Sequence, residues 1–166
     1  MNNKSHRENI EKLRELIKDI DICMLTTVDE DGTLRSRPMG TQDAEFDGDL
    51  WFLTAINTGK AEEIQKEHEV NVSYAAPGKN RYVSVSGTAT LLNDRAKIKE
   101  FWSPIYKAYF PDGPDDPKIR LLKVNVKKAE YWDSPGGIIP TIIAFAQAMA
   151  GKEAEFGENE KLQLNN

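Results

Sequence analysis

Residues 21–41 read DICMLTTVDEDGTLRSRPMGT, and this stretch decides how the chain folds. Residues 21–28 are rich in Ile, Leu, Val and Thr, residue types that favour a pleated strand. Asp29-Glu30-Asp31-Gly32 is a turn sequence, and residues 33–41 follow it as a second extended run. The stretch therefore predicts a β-hairpin.

Strands are expected to outnumber helices in the chain as a whole. Three antiparallel strands are expected in succession, because a turn at 46–49 precedes the aromatic run at 50–54. Apolar residues at helical spacing predict a first helix, and helices are also predicted at 60–66, after Asp94 and at 140–150. Period-two patterns predict further strands at 70–76, 81–92 and 122–132. The fold class is therefore mainly β, a small antiparallel barrel with peripheral helices.

Length, charge and cysteine content restrict the class of protein. The 166 residues suit one domain, with a core at about 8–135, a helix at about 140–150 and a loosely held acidic tail at 152–166. A net charge of −5 argues against a nucleic-acid or anionic membrane partner. Cys23 is the only cysteine, so we expect no internal disulfide and a cytoplasmic location. The apolar run at 138–150 is too short and too interrupted to span a membrane.

Common catalytic and metal-binding motifs are missing from the sequence. No dinucleotide-binding glycine pattern follows a strand, and residues 58–60 lack the remainder of a P-loop. His6 and His68 have no neighbours at metal-ligand spacing, so we expect two solvated surface histidines and no metal site. Cys23 lies inside an apolar strand and is expected to be buried.

The second half of the hairpin carries two arginines that share one face. Arg35 and Arg37 are two residues apart, and alternate residues of a strand point the same way. Pro38 cannot donate to a strand ladder, so it indicates an edge, a bulge or the approach of something other than a strand.

A second polar run, TAINTGK at 54–60, lies between a predicted strand and a predicted helix. Asn57 or Thr58 can cap that helix, and the free amides of a first helical turn bind anions. Lys60 lies in the same turn, where a cation opposes the helix dipole unless an anion is present. A bound phosphate would remove this conflict.

A purely structural interpretation of these charges is equally available from the residues alone. In that interpretation Glu62 and Glu63 offset Lys60 locally, while Arg35 and Arg37 are exposed strand charges. The residue types do not decide between the two alternatives.

The order and spacing of five segments resemble the flavin-binding split-barrel superfamily that includes pyridoxamine 5'-phosphate oxidase. The resemblance is greatest to the general stress protein 26-like branch and covers roughly residues 8–135. No single motif is specific, and the order of the segments carries the resemblance. These segments are RSRPM at 35–39, LWFLT at 50–54, TGKAE at 58–62, RYVSVSGTA at 81–89 and EYWD at 130–133.

The resemblance implies a homodimer that holds FMN, with FAD as the alternative, in a groove between its subunits. It implies that Arg37 and Lys60 hold the phosphate, with the Thr58 hydroxyl completing the cradle. The side chains expected along the flavin ring and its neighbouring strand are Pro38, Met39, Leu53 and Thr54. Trp132 matches a position where a tryptophan reaches the flavin of the opposite subunit, although the residue alone is equally consistent with a core position at a strand end.

The chain also departs from the oxidase. No arginine follows Arg120 and no histidine follows His68, although the oxidase closes its chain with an Arg and His constellation that binds substrate. Tyr82 replaces a glutamine that contacts FMN in the oxidase. Pyridoxamine phosphate oxidation is therefore not expected. We expect an FMN-binding general stress protein. If it is an enzyme, it is a flavin-dependent oxidoreductase of unknown substrate, with no catalytic residue assigned. The alternatives are a non-catalytic flavin binder or buffer, and a dimer that keeps the fold without flavin.

Overall fold

The computed structural model describes residues 3–42, 45–134 and 158–164, together with Met149. Seven strands and three α-helices are present in these ranges. In chain order the elements are α1 (Asn3–Ile17), β1 (Ile22–Val28), β2 (Leu34–Gly40), β3 (Asp49–Ala55), α2 (Gly59–Lys66), β4 (Glu69–Ala76), β5 (Arg81–Leu92), α3 (Arg95–Glu100), β6 (Ile119–Asp133) and β7 (Glu158–Gln163).

The strands form one antiparallel sheet that curls into a half-barrel, as the sequence predicts. The order is β2-β1-β4-β5-β6-β3, and β7 pairs with β6 as well. The predicted hairpin is confirmed, with Ile22 opposite Gly40 and Val28 opposite Leu34. Gly32 lies in its turn with φ of 83°, a conformation that favours glycine.

The third strand is antiparallel, but its partner is β6 and not the preceding strand β2. Asp49 lies opposite Asn125, and Ala55 lies opposite Ile119. This pairing is available because β6 has 15 residues and offers one edge to two partners in succession. Residues 119–125 of β6 pair with β3, and residues 128–133 pair with β7. The strands β2 and β3 are thereby left as the two ends of the sheet path.

Two apolar clusters hold the sheet together. The larger one fills the concave, inner face and includes buried residues of α1, the sheet and the C-terminal segment, such as Leu13, Leu25, Phe52 and Tyr131. The smaller one packs α3 and the segment that follows it against the other face of β3 and β6. Burial of such side chains contributes roughly 1.5–3 kcal/mol each. Most of the aromatic side chains of residues 101–110 pack in the smaller cluster: Phe101, Trp102, Tyr106 and Phe110.

The end of the described chain corrects one expectation. Residues 158–163 form β7 and are not loosely held, since Leu162 and Leu164 are buried in the larger cluster. The Asn9 side chain donates to the main-chain oxygen of Gln163 at 2.9 Å, so α1 also contacts this strand. Two leucines at period-two spacing provide an apolar face that outweighs the acidic composition of the tail. The predicted helix at 140–150 and tail residues 152–157 lie outside the described residues, apart from Met149.

The helix predicted after Asp94 is shorter than its apolar pattern indicated. The Asp94 carboxylate accepts a hydrogen bond from the Lys97 amide at 3.0 Å, so Asp94 is the N-cap of this helix. The α-helix ends at Glu100, and Tyr106 lies in a separate 3-10 turn, Pro104–Ala108, that begins with a proline. In the described part of the chain, no helix combines the length and apolar character needed to cross a membrane.

Candidate functional site

The charged residues of the hairpin and of α2 meet where α2 packs against β1. Arg35, Arg37 and Met39 lie on the inner face of β2, because alternate residues of a strand share one face. Met39 is buried, the Arg37 side chain is 18% exposed and the Arg35 side chain is 54% exposed. The three side chains thus form a row from the buried interior to the solvent.

A buried carboxylate lies between the two arginines. Glu63 of α2 has a side chain only 3% exposed, and it accepts hydrogen bonds from Arg35 Nη1 at 3.0 Å and Arg37 Nη2 at 2.8 Å. The Thr27 hydroxyl also donates to Glu63, and Arg37 Nη1 lies 2.8 Å from the same hydroxyl oxygen. Arg35 is shared with Asp29, at 3.2 Å. This network fixes the arginines against α2.

The ionised form of Glu63 is favoured by this network. Burial would raise the pKa of the carboxyl group. Hydrogen bonds from Thr27 and Arg37, and then the charges of Arg37 and Arg35, act in the opposite direction and hold the pKa below its ordinary value. A buried carboxylate with these partners remains charged at neutral pH.

Lys60 differs from the arginines because it has no carboxylate partner within the described residues. Its Nζ donates to the thioether sulfur of Met39 at 3.5 Å, which is a weak acceptor. Burial, and then the positive charge of Arg37, lower the pKa of Lys60 below its ordinary value. Glu63 does not offset Lys60, since it is bonded to the arginines. A half-buried ammonium group beside another cation favours the approach of an anion.

The start of α2 adds backbone donors beside Lys60. Thr58 occupies the N-cap position with extended backbone angles, but its hydroxyl donates to the Ala55 carbonyl at 2.9 Å and does not cap the helix. The amides of Ala61 and Glu62 bond to the Thr58 carbonyl. The Gly59 and Lys60 amides have no acceptor in the portion of the chain that the structure covers. First-turn amides of this kind form an anion site.

The remaining residues expected around a flavin ring are divided between faces of the sheet. Thr54 lies on the inner side of β3, is 2% exposed, and its Oγ1 has no hydrogen-bond partner among the described residues. Leu53 points to the opposite side of β3 and packs in the smaller cluster. Pro38 is exposed on the convex, outer face of β2, opposite Met24 of β1. The structure therefore brings Arg37, Met39 and Lys60 together, and not Pro38 or Leu53.

Trp132 is not a core residue. It is 44% exposed on the outer face of β6 and lies opposite Tyr82 of β5, which is exposed to the same extent. Arg37 lies on the inner face of β2, so the two do not share a surface within one chain.

A cleft of about 640 Å³ lies between α1, the segment after β2 and the start of β3. Its apolar wall is aromatic and includes Phe46, Trp51, Phe52 and Tyr74. Arg14, at its rim, is paired with Glu45 at 2.7 Å and with the Phe46 carbonyl. Arg37 and Lys60 do not line this cleft.

The cysteine and the two histidines are the other groups that could carry chemistry. Burial raises the pKa of the Cys23 thiol to about 12, so this cysteine is not a reactive thiolate. His68 is exposed as expected, but His6 is half-buried and its Nδ1 has no partner among the described residues, so the expectation of two solvated histidines is wrong for His6. The residues that the structure describes contain no group of three or more metal-ligating side chains.

Thr27 is the site residue that sequence reasoning missed, and Glu63 pairs with the arginines where the sequence offered Lys60 as its partner. Two arginines on one strand face require a counter-charge, which is a signal that one is nearby. Its identity depends on how α2 docks on β1, and that contact is not local in sequence.

A curled antiparallel sheet that ends in β2 and β3, with α2 packed near the arginines of β2, defines a split β-barrel protein. The sequence model for "Pyridoxamine 5'-phosphate oxidase like" proteins matches residues 8–155. The chain belongs to the pyridoxamine 5'-phosphate oxidase-like family, as the resemblance indicated.

Individual relatives agree with this assignment. Protein bli-3 of Neurospora crassa is 30% identical over 158 residues, which cover 89% of this chain and 76% of that protein. A general stress protein 26 from Jannaschia sp. CCS1 has the same fold, with a TM-score of 0.76 at 24% identity over 95% of this chain and 99% of its own. A structure described as the general stress FMN/FAD binding protein of Xanthomonas citri has a TM-score of 0.67 at 25% identity, covering 80% of this chain and 93% of its own.

Proposed function

We propose that this protein is a flavin-binding general stress protein, with the phosphate of FMN held by Arg37, Lys60 and the first amides of α2. The observation that carries the proposal is Lys60, a half-buried cation beside Arg37 with no carboxylate partner among the described residues. A phosphate would satisfy both the ammonium group and the free amides of Gly59 and Lys60. The Xanthomonas citri neighbour, which is described as FMN/FAD binding, supports a flavin as the ligand.

The distribution of charge favours FMN over FAD. Arg35 is already shared between two carboxylates, those of Asp29 and Glu63. Lys60 and the remaining donors of Arg37 are then available to an incoming anion, which suits one phosphate monoester better than a pyrophosphate. FAD is the alternative ligand that a parallel titration compares.

The outer face of the sheet supports a homodimer as the functional unit. It exposes Ile22, Met24, Tyr82 and Trp132, which have 39–57% of their surface accessible. Small uncharged residues such as Ser73 separate them. Exposed apolar area of this kind on a strand face marks an interaction surface. In a dimer formed through this face, Trp132 would lie against the partner subunit.

We further propose that the flavin-bound protein is an oxidoreductase. FMN supplies hydride or electron transfer when bound, and the chain supplies position and electrostatics. Lys60 and Arg37 would bind and orient the phosphate end, while buried Met39 excludes water beside it. Thr54 offers an unpaired hydroxyl in a dry environment. The chain lacks the C-terminal arginine and histidine of the oxidase, so we do not propose pyridoxamine phosphate as its substrate.

Flavin titration tests the proposed function. We expect FMN to bind with quenching of its fluorescence and a shifted visible spectrum, and to bind more tightly than riboflavin because of the phosphate. Turnover of NADH or NADPH with an electron acceptor would establish an oxidoreductase, while tight binding without turnover would establish a flavin binder or buffer. Failure to retain FMN would contradict both forms.

Two further expectations accompany this proposal. In light scattering after gel filtration, Met24→Glu should shift the dimer towards monomer, because the substitution adds a charge to the proposed dimer face. A matched substitution on the exposed side of α2, Gln65→Glu, should leave the dimer intact.

We also propose a cytoplasmic location, which is consistent with the reduced and buried Cys23.

A further inference from the structure

We propose that Glu63 is a positioning residue for phosphate recognition: it holds Arg37 and Arg35 at the start of α2 and thereby increases affinity for a phosphorylated ligand despite its own negative charge. This inference rests on the proposed function, because it concerns the same end of the site. It concerns a residue that no sequence motif indicated.

The Glu63 carboxylate divides its two oxygens between the two arginines. Glu63 Oε1 accepts from Arg35, and Oε2 accepts from both Arg37 and Thr27. Each oxygen therefore has a different guanidinium partner. The side chain is 3% exposed, so water cannot replace these bonds without rearrangement.

The ion pair between Glu63 and Arg35 lies close to the start of α2. A Cβ atom built on Gly59 would lie 3.4 Å from Glu63 Oε1 and 3.6 Å from Arg35 Nη1. The ion pair thus lies against the first residue of α2, beside the amides expected to face the phosphate. Glycine at position 59 leaves space between the backbone and the ion pair.

Glu63 and Thr27 together fix the orientation of the Arg37 guanidinium group. Arg37 uses Nη2 for Glu63 and Nη1 for the Thr27 hydroxyl, so the plane of its guanidinium group is fixed by two contacts. Its Nε–H and the second hydrogen on each terminal nitrogen have no other acceptor among the described residues. Without the carboxylate, the Arg37 side chain regains rotamer freedom. Phosphate binding must then offset the entropy that is lost when this side chain becomes fixed, and affinity falls.

Charge alone predicts the opposite sign. A carboxylate near an anion site repels phosphate, so replacing it with an amide should strengthen binding if Coulomb repulsion dominates. We expect the positioning of the arginines to outweigh Coulomb repulsion between Glu63 and phosphate, because the carboxylate is bonded to the arginines and not to Lys60. The sign of the change in affinity therefore distinguishes the two effects.

The experiment compares Glu63→Gln with Glu62→Gln, which removes the same charge from the exposed neighbouring position of α2. Affinities for FMN and for riboflavin are measured by flavin fluorescence. We expect Glu63→Gln to weaken FMN binding about tenfold, the effect of losing one charge-assisted contact, and to leave riboflavin binding unchanged. Glu62→Gln should leave FMN affinity unchanged or raise it slightly. A merely structural role for Glu63 would lower the affinities for both ligands together.

Thr27→Val provides a second, charge-neutral test and serves if Glu63→Gln does not fold. It removes the hydroxyl that contacts both Glu63 and Arg37, and we expect a smaller loss that is again confined to FMN. FMN affinity equal to or above that of the wild type in the folded variants would overturn the inference. If the wild-type protein itself does not bind FMN, the proposed function fails first, and the inference fails with it for that separate reason.

Discussion

Lys60→Met is the most informative single substitution, because it should change ligand affinity and protein stability in opposite directions. The ammonium group donates only to the Met39 thioether and lies beside the charge of Arg37, so the flavin-free protein loses no ion pair when it is removed. Methionine retains most of the apolar length of the lysine side chain. The substitution therefore isolates the charge.

The expected magnitudes follow from these contacts. A charge-assisted hydrogen bond to phosphate is worth about 1.5–3 kcal/mol, so Lys60→Met should weaken FMN binding by roughly 10- to 150-fold. Removing a cation that is poorly solvated and close to another cation should stabilise the flavin-free protein by ~0.5–1 kcal/mol. At this chain length that corresponds to a rise of about 1–4 °C in melting temperature.

The assay combines FMN titration with thermal unfolding of the flavin-free protein. Lys66→Met is the matched control, because Lys66 belongs to the same helix but is exposed and paired with Glu30. It should leave FMN affinity within about twofold of the wild type, as expected of an exposed ion pair away from the site. Unchanged FMN affinity in Lys60→Met would refute the placement of the phosphate beside Lys60. A fall in melting temperature would refute the claim that this lysine opposes stability.

Three further predictions concern the fold and its pH dependence. Leu162→Ala should lower the free energy of unfolding by about 2–4 kcal/mol in urea titrations, because β7 contributes this buried side chain to the larger cluster. A loss below ~0.5 kcal/mol would mean that β7 is dispensable for stability. Gly87→Ala should cost more than ~2 kcal/mol, since its Cβ would lie 2.3 Å from the Asn125 main-chain oxygen, whereas Gly78→Ala has open space and should be nearly neutral; equal effects would contradict the close approach of β5 and β6. The depressed pKa of Glu63 means that its ionised form stabilises the protein above its ordinary pKa of 4.5, and that this contribution is lost as pH falls through the lower folded-state value. The stability difference between wild type and Glu63→Gln should therefore shrink as the pH falls below 4.5, and a difference that grows on acidification would reverse the sign assigned to this group.

Local pattern was sufficient to predict most of the strands. The prediction for β5 at 81–92 has the observed bounds, because its period-two alternation is long and its ends carry turn residues. The partner of β3 was not predictable from its neighbours in sequence, because antiparallel pairing with a distant 15-residue strand is a tertiary outcome. The same limit explains β7: its sequence is acidic, but Leu162 within the strand and Leu164 just after it are buried in the larger cluster.

Part of the candidate site was also predictable from the sequence, and part depends on tertiary packing. The proximity of Arg37 and Lys60 was expected from family resemblance, and the structure brings both residues near Met39. The alternative in which Glu63 offsets Lys60 locally is wrong, because Glu63 pairs with the two arginines and not with Lys60. Docking of α2 instead directs Glu63 to β2, where Arg35 and Arg37 provide its partners. These ion pairs form only when α2 packs on the sheet and excludes water from the carboxylate, so they are not predictable from local sequence.

The visible absorption spectrum of the purified protein, after incubation with FMN and gel filtration, tests the central proposal most directly. We predict flavin bands that co-elute with the protein, shifted from those of free FMN, at about one flavin per chain. Lys60→Met should lose most of this flavin during the same filtration. A colourless wild-type protein that releases all added FMN would contradict the flavin site, although the split-barrel fold would stand.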